Sequence, residues 1–87
     1  MLGANVRAGG SELDLIVRRG RELRFVEVKE RAGSGFGGAA AAVNSDKQRR
    51  VRRGAAAWLS SHPTDCRVGF DVVAIEGRRV RRLRDAF

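Results

Sequence analysis

The sequence predicts an α/β fold: a mixed β-sheet with a β-hairpin, one crossover helix and a strand paired in parallel. Three observations carry that prediction. Two apolar-rich runs, Leu13–Val17 and Leu23–Val28, flank a polar break at Gly20, the pattern of a β-hairpin. Val51, Ala55, Trp58 and Leu59 then recur at helical spacing until Pro63 stops them. A second strongly apolar run, Val68–Ile75, follows after a short loop, and strand, helix, strand in that order favours a right-handed crossover with parallel pairing. Eighty-seven residues make a single domain, 1–87, whose core is marginal enough that each covering element matters.

Taken in order, the chain opens with Met1–Gly10, where Ala4–Arg7 predicts a short edge strand that ends at Gly9 and Gly10. The hairpin strands follow as Glu12–Arg19 and Glu22–Glu30. An even loop centred between Gly20 and Arg21 places Arg19 opposite Glu22, and counting back places Asp14 opposite Glu27 and Glu12 opposite Lys29. These four charged residues, Glu12, Asp14, Glu27 and Lys29, then share one face with Ile16, Leu23 and Phe25. Leu13, Leu15, Val17, Val26 and Val28 fall on the other face, which is continuously apolar and is expected to be buried. Residues 31–43 are rich in glycine and alanine and predict a loop, with a helical turn open to the run from Ala39. Phe36 is the bulky residue of that loop, expected to pin it to the core, with stacking on a nucleobase as the functional alternative.

The main helix is expected over Asp46–Ser61, about 24 Å at the standard rise. Ser45 with Gln48 fits the capping-box pattern, and Asp46 complements the helix dipole. Its first turns carry Lys47, Arg49, Arg50, Arg52 and Arg53, either a solvated face or a phosphate-tracking ridge beside the carboxylates. His62 is placed to meet the last helical carbonyls. Asp71 interrupts the second apolar run and reads as a partner-satisfied aspartate rather than a ligand. Glu76 and Gly77 turn the chain into Arg78–Leu83, a basic strand suited to a sheet edge, where Arg81 and Arg82 would extend a phosphate surface.

Charge narrows the function. Eighteen basic residues against ten acidic give a net charge of +8, and every basic residue except Lys29 and Lys47 is arginine. Such a balance favours a polyanionic partner through counterion release, and the guanidinium fork suits phosphate. No apolar run is long enough for a membrane helix and no signal-peptide core is present, so a cytoplasmic protein with no membrane partner is expected. Cys66 is the sole cysteine, which excludes an internal disulfide and disfavours a cysteine-based zinc site.

The hairpin carries the chemistry. Directly opposed residues in an antiparallel pair lie about 4.5 to 5.5 Å apart at Cβ, and like charges there are destabilising unless offset. Asp14 against Glu27 therefore needs a partner, either a divalent cation such as Mg²⁺, which is held by one or two carboxylates plus water and phosphate oxygens, or Lys29. A cross-strand charge cluster on a solvated face is the plain alternative. Ile16, Leu23 and Phe25 on the same face favour a cleft.

Four blocks carry a resemblance: Ser11-Glu12-Leu13-Asp14-Leu15, Phe25-Val26-Glu27-Val28-Lys29, Asp46-Lys47-Gln48-Arg49-Arg50 and Phe70-Asp71-Val72-Val73-Ala74. In order and spacing they resemble the YraN-like family of small bacterial proteins, which looks like a branch of the PD-(D/E)XK nuclease superfamily, close in plan to Holliday junction resolvases and restriction endonucleases. The likeness runs from about Asn5 to Asp85-Ala86-Phe87. It implies a restriction endonuclease-like fold and a metal-dependent endonuclease acting on DNA, branched or processed forms among its substrates. Asp14 and Glu27 match the metal-binding carboxylates, with the Val28 carbonyl as a third ligand to Mg²⁺ or Mn²⁺. Lys29 matches the lysine that orients the attacking water and stabilises charge on the phosphate. Gln48 matches a glutamine that many relatives carry near the site, and Glu12 an accessory acidic position.

Relatives also place a long helix, with a further acidic residue, ahead of the block matching Asn5–Arg7. Without it an apolar sheet face is uncovered, and a homodimer is the physical expectation. A nucleic-acid-binding module that keeps the fold without turnover is the alternative function.

Overall fold

The computed structural model describes residues 1–31 and 43–87. The readings of Phe36 and of a helical turn from Ala39 lie outside those residues. Strands β1 (Gly3–Ala8), β2 (Ser11–Arg19) and β3 (Glu22–Arg31) precede helix α1 (Ser45–Ser61), which is followed by β4 (Arg67–Glu76) and β5 (Arg79–Leu83). The five strands form one mixed sheet in chain order, with β3 and β4 parallel and the other neighbours antiparallel. This is the α/β arrangement expected, and it is consistent with a restriction-endonuclease-like sheet. No helix among the described residues is long and apolar enough to cross a membrane.

The hairpin register is the expected one from its turn inward: Arg19 pairs with Glu22, and the ladder continues to Leu15 opposite Val26. Gly20 takes a positive φ of 62°, which a glycine adopts without a Cβ penalty. The ladder then stops, and Glu12 is not brought opposite Lys29 as expected. At Asp14 the pairing with β1 also skips one position. Its β1 counterpart, Asn5, is turned into the left-handed region at φ 52°, and regular pairing resumes at Val6 with Leu13.

That local distortion reverses which way Leu13 points. Leu13 and Ile16, three residues apart, are both fully buried in one core with Leu23, Phe25, Val51 and Ala55. Leu13 therefore leaves the second face, where simple alternation had placed it. The second face is correspondingly not a continuous apolar layer. Val26 is buried there, but Val28 is 38% exposed, and Arg24 and Asp71 introduce charge into it.

Helix α1 lies across β1 and β2. Val51 and Ala55 are buried and Trp58 and Leu59 pack beside them, the expected stripe. Gly54 permits the close approach, since a Cβ there would stand 3.2 Å from the Ala8 carbonyl oxygen, Leu13 Cδ2 and Ser11 Cβ alike. The N-cap is Asn44, not Ser45. Its Oδ1 accepts from the Lys47 amide at 2.8 Å, while the Gln48 side chain is turned to the Val43 carbonyl at 3.0 Å and makes no capping box. At the other end His62 meets the Trp58 carbonyl at 2.9 Å and stacks on the indole with ring centroids 4.1 Å apart.

On the second face, Asp71 is fully buried and satisfied on every side. It accepts from Arg24 at 3.3 Å, from Arg82 at 2.7 Å and from the Asp85 amide at 2.9 Å. Arg82 therefore ties β5 to β4 rather than extending a phosphate surface. Phe87 stacks on Phe70, which stacks on Phe25, so the C-terminal turn closes the end of the core.

Candidate active site

A cleft of about 70 Å³ lies where β2 and β3 separate, lined by Asp14, Glu27, Val28, Lys29, Val43 and Lys47. Its geometry follows from the break in the ladder. A short carboxylate can compete with the backbone for an amide hydrogen, and here Asp14 Oδ2 accepts from the Val28 amide at 2.8 Å. The Asp14 amide in turn donates to Glu27 Oε2 at 3.3 Å. Each carboxylate is thus held by a backbone amide, and the two side chains face the same small space.

Glu27 is only 2% exposed. Its Oε2 is satisfied, but its buried Oε1 accepts no hydrogen bond from the described residues. The Lys47 ammonium stands 3.3 Å from Oε1, close enough for an ion pair but not in hydrogen-bonding alignment. Burial pushes the Glu27 carboxyl above its usual range, and the charge of Asp14 adds to the effect. The Asp14 amide and Lys47 act in the opposite direction without cancelling it.

This donor set fits a hard divalent cation. Its ligand atoms are oxygens, one of them a buried carboxylate oxygen that accepts no hydrogen bond among the described residues, and Mg²⁺ characteristically takes one or two carboxylates and keeps several waters. No group of three or more His, Cys, Asp or Glu side chains able to hold a metal occurs among the described residues, so the protein's share would be Asp14, Glu27 and backbone.

The structure brings together four of the residues expected at the site: Asp14, Glu27, Val28 and Lys29. Gln48 does not line the cleft, but through Val43 it anchors one of its walls. Glu12 lies in a neighbouring cavity of about 190 Å³ with Gly10, Ser11, Lys47, Arg50 and Val51. Lys47 lines both spaces. Its placement in the carboxylate cleft was not expected, because a basic run at a helix start carries no signal of which member turns inward.

The remaining basic residues of α1 are placed as follows. Arg49 and Arg50 are exposed and pair with Asp46 at 3.1 and 3.7 Å. The Arg52 guanidinium lies over the Phe70 and Phe87 rings, 5.2 and 5.8 Å from their centroids. Arg53 is exposed. The basic side chains are thus distributed around the first half of the helix, with Lys47 at the cleft and Arg49, Arg50 and Arg53 exposed.

Comparison with known proteins gives a consistent assignment. The model of the family described as "Uncharacterised protein family UPF0102" matches residues 1–75. The sequence is 46% identical over 86 residues to a UPF0102 protein of Halorhodospira halophila, covering 99% of this chain and 69% of that protein. It is 45% identical over 91 residues to the UPF0102 protein YraN of Escherichia coli K12, covering 99% and 68%.

Proposed function

The chain belongs to the UPF0102 family, and we propose that it is a divalent-metal-dependent endonuclease of the PD-(D/E)XK kind, hydrolysing DNA phosphodiester bonds, with branched or processed DNA among its candidate substrates. The observation that carries this reading is the placement of the Asp14 and Glu27 carboxylates in one cleft with Lys29, with a buried Glu27 oxygen that accepts no hydrogen bond among the described residues.

Asp14 and Glu27 would hold Mg²⁺ or Mn²⁺, with the Val28 carbonyl as the backbone ligand. When bound, the ion supplies Lewis-acid polarisation of the phosphate and of water. The chain's own residues do the rest. Asp14, fixed by the Val28 amide, and Glu27, fixed by the Asp14 amide, keep both carboxylates oriented without rearrangement. Lys29, exposed at the rim, offsets negative charge as it develops on the phosphate. Val43, tethered by Gln48, closes one side of the cleft. The exposed Arg49, Arg50 and Arg53 hold the backbone of the duplex in register by phosphate contacts that carry no sequence information.

Variants separate the steps. Asp14→Asn and Lys29→Ala are expected to abolish cleavage while leaving DNA affinity near that of the parent chain. Loss of DNA binding together with cleavage would contradict the assignment of these residues to chemistry. A second reading, a nucleic-acid-binding module without turnover, is favoured by the Lys47–Glu27 ion pair, which offsets the Glu27 charge from within the chain. It predicts salt-sensitive DNA binding with no products in any metal.

A further inference from the structure

We propose that Lys47 is a built-in competitor for the cation position, its ammonium holding Glu27 Oε1 until a divalent ion takes that oxygen. The inference rests on the metal reading above and assigns this lysine a role besides phosphate contact.

Three observations support it. Lys47 Nζ is 3.3 Å from Oε1, the buried oxygen that accepts no hydrogen bond among the described residues. An ion such as Mg²⁺ approaches its oxygens to about 2.1 Å, which leaves no place for an ammonium against the same oxygen. The lysine is also free to leave. Its side chain is 41% exposed, and it lines the adjoining cavity of about 190 Å³ as well as the cleft. Its backbone stays where it is, because the amide is held by Asn44 Oδ1 at 2.8 Å. Displacement is therefore a rotation of a four-carbon stem about a fixed Cα, with no change in the helix.

The adjoining cavity is also lined by Arg50, Gly10, Ser11 and Glu12. A displaced ammonium meets one carboxylate there and remains beside the site, where it adds to the charge available for a phosphate. Metal affinity is thus set by an exchange of cations rather than by the carboxylates alone.

The test is Mn²⁺ binding at pH 8, read as loss of the free-ion electron paramagnetic resonance signal, for the parent chain, Lys47→Met and Lys47→Arg. Lys47→Met is expected to bind about ten-fold more tightly, the low end of what close charge pairs are worth, and Lys47→Arg is expected to restore parental affinity. Equal or weaker binding by Lys47→Met would overturn the competitor role and leave the metal reading standing. Absence of Mn²⁺ binding by all three chains would overturn both. Thermal melts establish that each variant is folded, and Lys47→Gln is the second neutral replacement.

Discussion

Asp14 and Val28 are joined by a side-chain-to-amide hydrogen bond of 2.8 Å that stands where the β2–β3 ladder would otherwise continue. One carboxylate thereby ends a ladder, opens a cleft and turns Leu13 into the core. Asp14→Ala is expected to lower stability by about 1 kcal/mol and to raise the hydrogen-exchange rate of the Val28 amide. Asp14→Asn keeps an acceptor and should leave that amide protected, while Mn²⁺ binding is lost.

Glu27 carries a buried charge that the fold does not favour, since burial and Asp14 both raise its pKa. The sign follows from linkage. A carboxyl raised in the folded state contributes stability that is complete below its ordinary pKa and is lost as pH rises through the folded value. The metal-free chain should therefore lose thermal stability as pH rises through that window. Glu27→Gln should flatten the profile and melt higher at neutral pH. A steeper profile in the variant would contradict this assignment.

Asp71 is the anchor of the opposite face. Its removal leaves the buried Arg24 and the half-exposed Arg82 short of a partner and strips the Asp85 amide of its acceptor. Because Arg24 keeps Glu22 and Asp85 and Arg82 is half exposed, Asp71→Ala is expected to cost about 1 to 3 kcal/mol, the penalty for leaving buried donors short of an acceptor. Denaturant unfolding measures it. Glu22 works in the same network, and hydrogen bonds from Arg24, then Arg84, hold its carboxyl below the ordinary value. Its contribution is present above that ordinary value and is lost as pH falls through the depressed one.

The N-cap assignment is testable separately. Asn44→Ala should destabilise the chain by about 1 kcal/mol, whereas Ser45→Ala should be close to neutral. Thermal melts of the two variants distinguish Asn44 from the capping box that the sequence suggested.

Much of this architecture is legible in the sequence, and each exception has its own physical cause. Gly20 and the alternation of apolar residues fix the hairpin register through Leu15, and Val51, Ala55, Trp58 and Leu59 locate the helix face. Asp14, Glu27 and Lys29 come together once that register is known. Period-two counting fails at Asp14, where a side chain displaces a backbone bond, and so it misplaces Leu13 and the Glu12–Lys29 pairing. Adjacent Asn44 and Ser45 are both competent caps, and residue type alone does not choose between them. The inward turn of Lys47 and the capture of Arg82 by Asp71 depend on neighbours distant in the chain, which no local pattern encodes.

DNA cleavage at the Asp14–Glu27 cleft is tested by incubating the purified chain with end-labelled linear, flap and four-way-junction DNA in Mg²⁺ or Mn²⁺, against EDTA and the Lys29→Ala variant. A nuclease built on this cleft gives products that need the metal and vanish in Lys29→Ala. DNA bound but uncut in either metal, or products that persist in EDTA, would contradict it.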